Sequence, residues 1–283
     1  MPCGFTMLVP VTIACLTWAA SLAGVEQIED SVVHIDRVLH RLTTEGGEEI
    51  NYSDLVVTAG PWTNRVLHAA GLTGVPMTVS NEQTVELLTK SGAPSYDWDC
   101  FPIYTWSEAG YKGRGKDGGC IYFYTTPHVT HTSSGSAGVK IGFHRQGPLL
   151  DNAEFQVTEK GRTMIAQLPH IRKELQSEQQ YDLDEFAWER VQEFVKAKMP
   201  GLDAEKPAGF MRCLYQMTPD MKMIIGRHPE DPAVVFACGF SGSGFQFAPA
   251  VAELLSSLVI GGALDSMTED MASKYSPGRF CLS

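Results

Sequence analysis

The glycine run Gly239-Phe-Ser-Gly-Ser-Gly244 lies between an apolar stretch, Val234-Val-Phe-Ala-Cys238, and a helical pattern that follows at once. A glycine loop between a strand and a helix N-terminus can aim backbone N–H groups at an acceptor-rich ligand. It can equally be a tight turn that lets the helix pack on its sheet. Lys140 and His144 stand four residues apart in Val139-Lys-Ile-Gly-Phe-His144. On a strand the period of two puts both side chains on one face, where a cation and an imidazole could act together. Each has a plainer use, as a snorkelling lysine stem or a structural histidine. Cys213 could offer a thiolate for covalent chemistry or fill space as a small buried hydrophobe. Tyr122, in Cys120-Ile-Tyr-Phe-Tyr124, could face a ligand or the core.

Such residues need elements to carry them. Short apolar runs predict strands over 31–35, 54–58, 84–88, 102–106, 120–125, 138–144, 210–217, 223–225 and 233–238. Asp54-Leu-Val-Val-Thr58 is a continuous run, the pattern of a strand buried on both faces. It leads through Ala59-Gly-Pro-Trp62 into a helix over 63–70, which Thr63 can cap and Gly71 can stop. Residues 184–199 form an amphipathic helix with Phe186, Ala187, Val191, Phe194 and Val195 on one face, ended by Pro200-Gly201. A second, apolar helix covers 245–260. Residues 108–119, rich in glycine and charge, read as a mobile surface loop, and 145–183 as a polar, partly helical insertion. Many strands with few helices, not in strict alternation, predict an α+β fold. The strands around Val56, Ile141, Tyr215 and Val235 are expected in the sheets of one fold.

At 43% hydrophobic and 19% charged, the 283 residues form a globular chain, not a disordered one. A net charge of -11 with no basic block argues against a nucleic-acid partner. Seven widely spaced cysteines without C-x-x-C argue against a disulfide framework and a structural zinc site, and no metal is expected. Residues 5–23 are uncharged, and Ala-Ser-Leu-Ala before Gly24 has the look of a signal-peptidase site. No Lys or Arg precedes them and Pro10 interrupts them. A buried helix ending at Gly24 is the favoured reading, with no membrane segment and a cytoplasmic location.

Four motifs, in order, resemble those of the FAD-dependent amine oxidoreductases of the sarcosine and pipecolate oxidase type. They are Ala59-Gly-Pro-Trp-Thr-Asn64, Val139 to His144, Cys213-Leu-Tyr-Gln-Met-Thr-Pro-Asp220 and Gly239 to Phe245. The resemblance covers residues 25–262 and is poor between 145 and 183. It implies FAD as cofactor, a small secondary amine or amino acid as substrate, O2 as acceptor, and an imine and H2O2 as products. It implies a large mixed or antiparallel sheet in a substrate domain, 72–200, beside remnant strands and a C-terminal helix of a Rossmann-like FAD-binding domain. All of this lies within 25–283, and 1–24 stand apart as an apolar segment. By the same resemblance Cys213 bonds the flavin 8α-methyl carbon, Lys140 lies near flavin N5 and promotes reaction with O2, and His144 lines the substrate pocket. Tyr122 lies over the flavin; Gly60, Trp62, Ser241, Gly242, Ser243 and Gly244 lie against it.

Two departures from the family's pattern bear on function. Gln246 stands where the family has a lysine that pairs with the substrate carboxylate, and Ser243 stands where it has a histidine. Gln246 can still reach substrate, but a charge-assisted contact is roughly twice as strong as a neutral one. The βαβ unit that opens the family's chains, whose G-x-G-x-x-G turn holds the FAD pyrophosphate, has no counterpart where this chain enters the resemblance. Three readings stand at this point: an FAD-dependent amine oxidase, a non-catalytic homologue that binds no FAD, and a flavin dehydrogenase using another acceptor.

Overall fold

A computed structural model describes residues 9–107, 122–129, 138–150, 183–261 and 266–280. The chain divides into two compact units, each assembled from separated stretches. One draws on Met1–Glu29, Glu82–Pro148 and Ser177–Cys213, the other on Asp30–Asn81, Leu149–Gln176 and Leu214–Ser283. The expected loop at 108–119 and most of the expected insertion at 145–183 lie outside the described residues.

In the unit that contains Asp30, β1 (Val32–Asp36), β2 (Arg41–Thr44) and β3 (Glu49–Asn51) form an antiparallel meander. A second sheet orders β10 (Ile224–His228), β11 (Asp231–Cys238) and β4 (Leu55–Val57). Strands β10 and β11 are antiparallel; β11 and β4 are parallel, with Val235 opposite Val56. Successive side chains of β11 serve two cores, which is why its sequence is continuously apolar. Val234, Phe236 and Cys238 pack with Val57, Leu67 and Ile224. Val235 and Ala237 pack with Val251, Leu254 and Leu255 of helix α4 (Gly244–Ile260). Gly261, at φ 77, ends α4 as a left-handed cap.

Helix α2 (Thr63–Ala69) lies where the sequence predicts it, and Gly71 beyond it has φ 66. Thr63, however, is not its cap. The residue lies inside the helix, and its hydroxyl donates to the Gly60 carbonyl at 2.7 Å, pinning the turn that follows β4.

A third sheet has an antiparallel run of β6 (Tyr104–Ser107), β7 (Tyr122–Thr126), β8 (Val139–Phe143) and β5 (Thr78–Leu87), with β9 (Gly209–Met217) beyond β5; apart from residues 78–81 and 214–217 it belongs to the other unit. Strand β5 begins six residues earlier than the sequence suggests. Helix α3 (Glu185–Lys198) buries Ala187, Trp188, Val191, Phe194 and Val195 on the sheet. Phe194 stacks on Phe123 at 4.4 Å, and Phe123 on Phe143 at 4.6 Å. Each such ring contributes about 1.5–3 kcal/mol by burial. The N-cap of α3 is Asp184, whose carboxylate accepts from Ala187 N–H.

Helix α1 (Val9–Leu22) has the composition of a buried helix but is exposed, with Leu16 at 58% and Trp18 at 67%. The expectation of burial is therefore wrong. The helix is apolar on every side, so it presents no single face for packing. Pro10 sits in its first turn, where a missing N–H costs nothing. Among the described residues no helix is long and apolar enough to cross a membrane. Helix α5 (Ser266–Lys274) follows α4.

Candidate active site

Strand register decides which side chains meet. Lys140 of β8 lies opposite Glu86 of β5 and Thr126 of β7; Gly142 lies opposite Thr84 and Tyr124. One step past the strand, His144 N–H donates to the Tyr122 carbonyl at 3.0 Å. By alternation Tyr122, Tyr124, Lys140, Gly142, His144, Thr84 and Glu86 share one face. Val85, Leu87, Phe123, Val139, Ile141 and Phe143 form the reverse face, packed against α3. The sheet thus has an apolar side that holds the core and a polar, aromatic side.

His144 is buried, at 5% exposure. Its ring stacks on Tyr122 at 4.2 Å and meets Tyr124 edge-on at 6.2 Å. Gly142 makes this possible: a Cβ there would stand 2.3 Å from the Tyr124 ring. Burial, and then the charge of Arg145, push the His144 pKa down to about 3. The imidazole is therefore neutral near pH 7 and can take part in a hydrogen bond rather than supply charge. Its ring-proton resonances should show no titration between the usual histidine value and about 3. The sign for stability follows: the unfolded chain binds this proton more readily, so stability falls as pH drops below the unfolded value. A His144 titration near pH 6.5 in the folded protein would contradict this.

Cys213 lies partly buried on β9. Burial first, and the charge of Glu82 second, push its thiol up to about 11, while Lys140 and Arg212 pull the other way. Lys140, His144, Tyr122 and Cys213 are thus gathered in one unit, and the first three share a sheet face.

The sequence reading missed the neighbours that brace them. Ser80, Asn81, Glu82, Gln83 and Thr84 are consecutive, polar and buried within β5. Glu82 accepts from the backbone N–H of both Gln146 and Gly147, each at 2.9 Å. Gln83 pairs reciprocally with the Asp184 backbone, at 2.7 and 3.3 Å, and accepts from Arg212 at 3.2 Å. Arg212 also lies 3.8 Å from the Asp184 carboxylate, both side chains being under a tenth exposed. A run of five polar residues entering a strand was the available signal.

The glycine loop belongs to the other unit. Gly239, Ser241 and Gly242 have φ of 73, 52 and 85. A Cβ on Gly242 would meet the Tyr215 ring at 2.2 Å, so the loop backbone lies directly on that ring. Gln216 is a second residue that sequence reasoning passed over. Its side chain accepts from Gly239 N–H at 2.8 Å, and its carbonyl from Ser241 N–H at 2.9 Å. Its amide nitrogen lies against Gly60, which has φ 57. Gln216 therefore pins the loop while packing beside the Gly60 turn. Ser243 is the N-cap position of α4 and Gly244 its first residue; Gln246 is exposed in the first turn. Trp62 lines an apolar cavity of about 210 Å³ with Val32, Ile35, Val66, Ala69 and the buried Arg65.

The Thr218-Pro-Asp220 turn is fixed separately. Asp220 takes two bonds from Arg279, at 2.9 and 3.2 Å, which hold its carboxyl down to about 2.

Residues 10–258 match the family of FAD dependent oxidoreductases. Monomeric sarcosine oxidase of Streptomyces avermitilis is 26% identical over 212 residues, 74% of this chain and 44% of that one. Human peroxisomal sarcosine oxidase is 27% identical over 239 residues, 83% of this chain and 50% of that one. The chain therefore spans about half the length of the curated relatives it matches. Among solved structures, the amino acid oxidase NikD superposes with a TM-score of 0.63 at 16% identity, covering 94% of this chain and 59% of that one. Glycine oxidase from Geobacillus kaustophilus gives 0.58 at 19%, covering 94% and 56%. These two likenesses establish the fold alone. The spacing G-x-G-x-x-G does occur once, at Gly113-Arg-Gly-Lys-Asp-Gly118. It stands in a stretch of glycine and charge with no apolar run directly before it, and outside the described residues.

Proposed function

Because the chain belongs to the FAD-dependent oxidoreductase family, we propose that it forms the substrate-facing and ring-facing part of a flavin oxidase acting on a secondary amine or amino acid. The observation that carries this reading is the sheet bearing Lys140, His144, Tyr122 and Cys213, with a polar aromatic face on one side and the core on the other. The donor set fits the ring end of a flavin: a cation, a neutral imidazole, a tyrosine and a thiol.

When bound, FAD would supply the two-electron acceptor for C–N oxidation, with O2 carrying the electrons on to H2O2. The chain's residues do the rest. Lys140 holds a positive charge where negative charge develops during oxygen reduction. His144, neutral and held by Tyr122, orients the substrate amine by accepting a hydrogen bond from it. Cys213 would hold the flavin as a thioether, its Sγ replacing one hydrogen of the 8α-methyl group with the two electrons passing on to O2; Lys140 and Arg212 partly offset the burial and the Glu82 charge that keep its proton on. Gln246 would meet the substrate with a neutral hydrogen bond.

The test is absorbance after acid precipitation of protein incubated with FAD. The expected result is a flavin band that stays with the protein and is released in Cys213→Ser. No flavin bound at all, by the chain alone or mixed with a separate dinucleotide-binding unit, would overturn the proposal.

A further inference from the structure

We propose that Glu82 is the positioning residue for His144: its carboxylate clamps the turn after β8 and so sets the imidazole against Tyr122. The proposal deepens the function read above and rests on His144 facing substrate. One carboxylate oxygen, Oε2, takes both consecutive N–H groups, of Gln146 and Gly147. Two neighbouring amides aimed at one anion make the concave backbone site that selects a negative charge. Between this clamp and His144 stands Arg145, at φ 58. A non-glycine residue keeps that left-handed conformation only where its surroundings hold it there. The anchor on one side is the clamp; on the other it is the bond from His144 N–H to Tyr122.

Glu82 is itself firmly placed. It is 2% exposed, in a central strand whose next residue, Gln83, is locked to Asp184 and Arg212. Strand register puts position 82 beside position 144, two residues beyond the pair Thr84 and Gly142. A buried carboxylate is costly unless fully bonded, so an apolar residue would be the cheaper choice if only the core needed filling. The same charge is felt by Cys213, together with Lys140 and Arg212. Glu82 therefore acts on two of the proposed functional groups, on His144 through the turn and on Cys213 through its charge, without being exposed itself.

The experiment reads the full chain without flavin, so it does not depend on cofactor binding. In proton NMR, the ring protons of His144 are shifted by the stacked Tyr122. Glu82→Ala should remove that shift, and Glu82→Gln, which keeps an acceptor oxygen for both N–H groups, should restore it. In Glu82→Gln, alkylation of Cys213 by iodoacetamide, read by peptide mass spectrometry across pH, should move to lower pH as the neighbouring negative charge is lost. A His144 shift retained in Glu82→Ala would overturn the proposal. If Glu82→Ala fails to fold, a Glu82→Gln protein whose His144 shift is lost and whose Cys213 profile is unmoved would overturn it as well. Failure of flavin binding in the wild type, with these signals as expected, would count against the proposed function and leave the clamp standing.

Discussion

Replacing Lys140 with methionine in flavin-loaded protein is expected to slow reoxidation by O2 about 10²–10³-fold, the cost of removing one preorganised charge from a reacting centre. The reduction half-reaction with amine should change only a few-fold. Lys140 is partly buried, and its backbone is fixed in register between Glu86 and Thr126, which sets where its stem leaves the sheet. A charge held in that way needs no reorganisation when electrons move to oxygen. Methionine keeps much of the stem and removes the charge. Lys140→Arg should recover part of the rate, because it restores charge with a different shape. Stopped-flow measurement of reoxidation against oxygen concentration separates the two halves of the reaction. An unchanged oxygen rate would reduce Lys140 to a strand residue that snorkels, and an equal loss in both halves would point to a misplaced sheet.

What the sequence made legible follows from how each residue is used. Strand β11 could be read because each of its residues from Val234 to Cys238 is buried, and two cores demand an unbroken apolar run. Helix α3 could be read because its apolar residues repeat on one face. The shared face of Lys140 and His144 needed only the period of two. By contrast, β2 and β3 are four and three residues long and contain Arg41, Thr43, Glu49 and Asn51. Nothing in so short a polar stretch distinguishes a meander from a loop. The start of β5 was missed for a related reason. Ser80 to Thr84 are polar, and polarity argues for the surface unless a bonding partner is known. Those partners, Asp184, Arg212 and the turn at 146–147, lie between 62 and 132 residues away in the chain. Helix α1 failed in the opposite direction, since its composition fits burial that the fold does not supply.

Titrated with FAD, the 283-residue chain is expected to bind weakly, well above the submicromolar range. The site proposed above, on the sheet face, would meet the ring end of the cofactor, whereas tight retention of a dinucleotide draws on its pyrophosphate. Each good hydrogen bond from backbone to a charged phosphate contributes ~1.5–3 kcal/mol. Every 1.4 kcal/mol or so is about tenfold in affinity, so two missing bonds cost roughly 10²–10⁴-fold. Cys213 cannot compensate in advance, because a covalent bond forms only after the flavin is held against its sulfur. The fold offers a place for help to arrive. Among the described residues β4 pairs only with β11, in parallel, and Val56 on it is 44% exposed. A parallel sheet is ordinarily covered on both faces, and β4 is the edge strand of its sheet, where a further strand could add. Adding a dinucleotide-binding unit as a separate polypeptide should therefore raise FAD affinity by at least tenfold. Flavin fluorescence quenching measures both cases. Stoichiometric submicromolar binding by the chain alone would sink the expectation and place a pyrophosphate site within these 283 residues, with the glycine loop before α4 the first place to mutate.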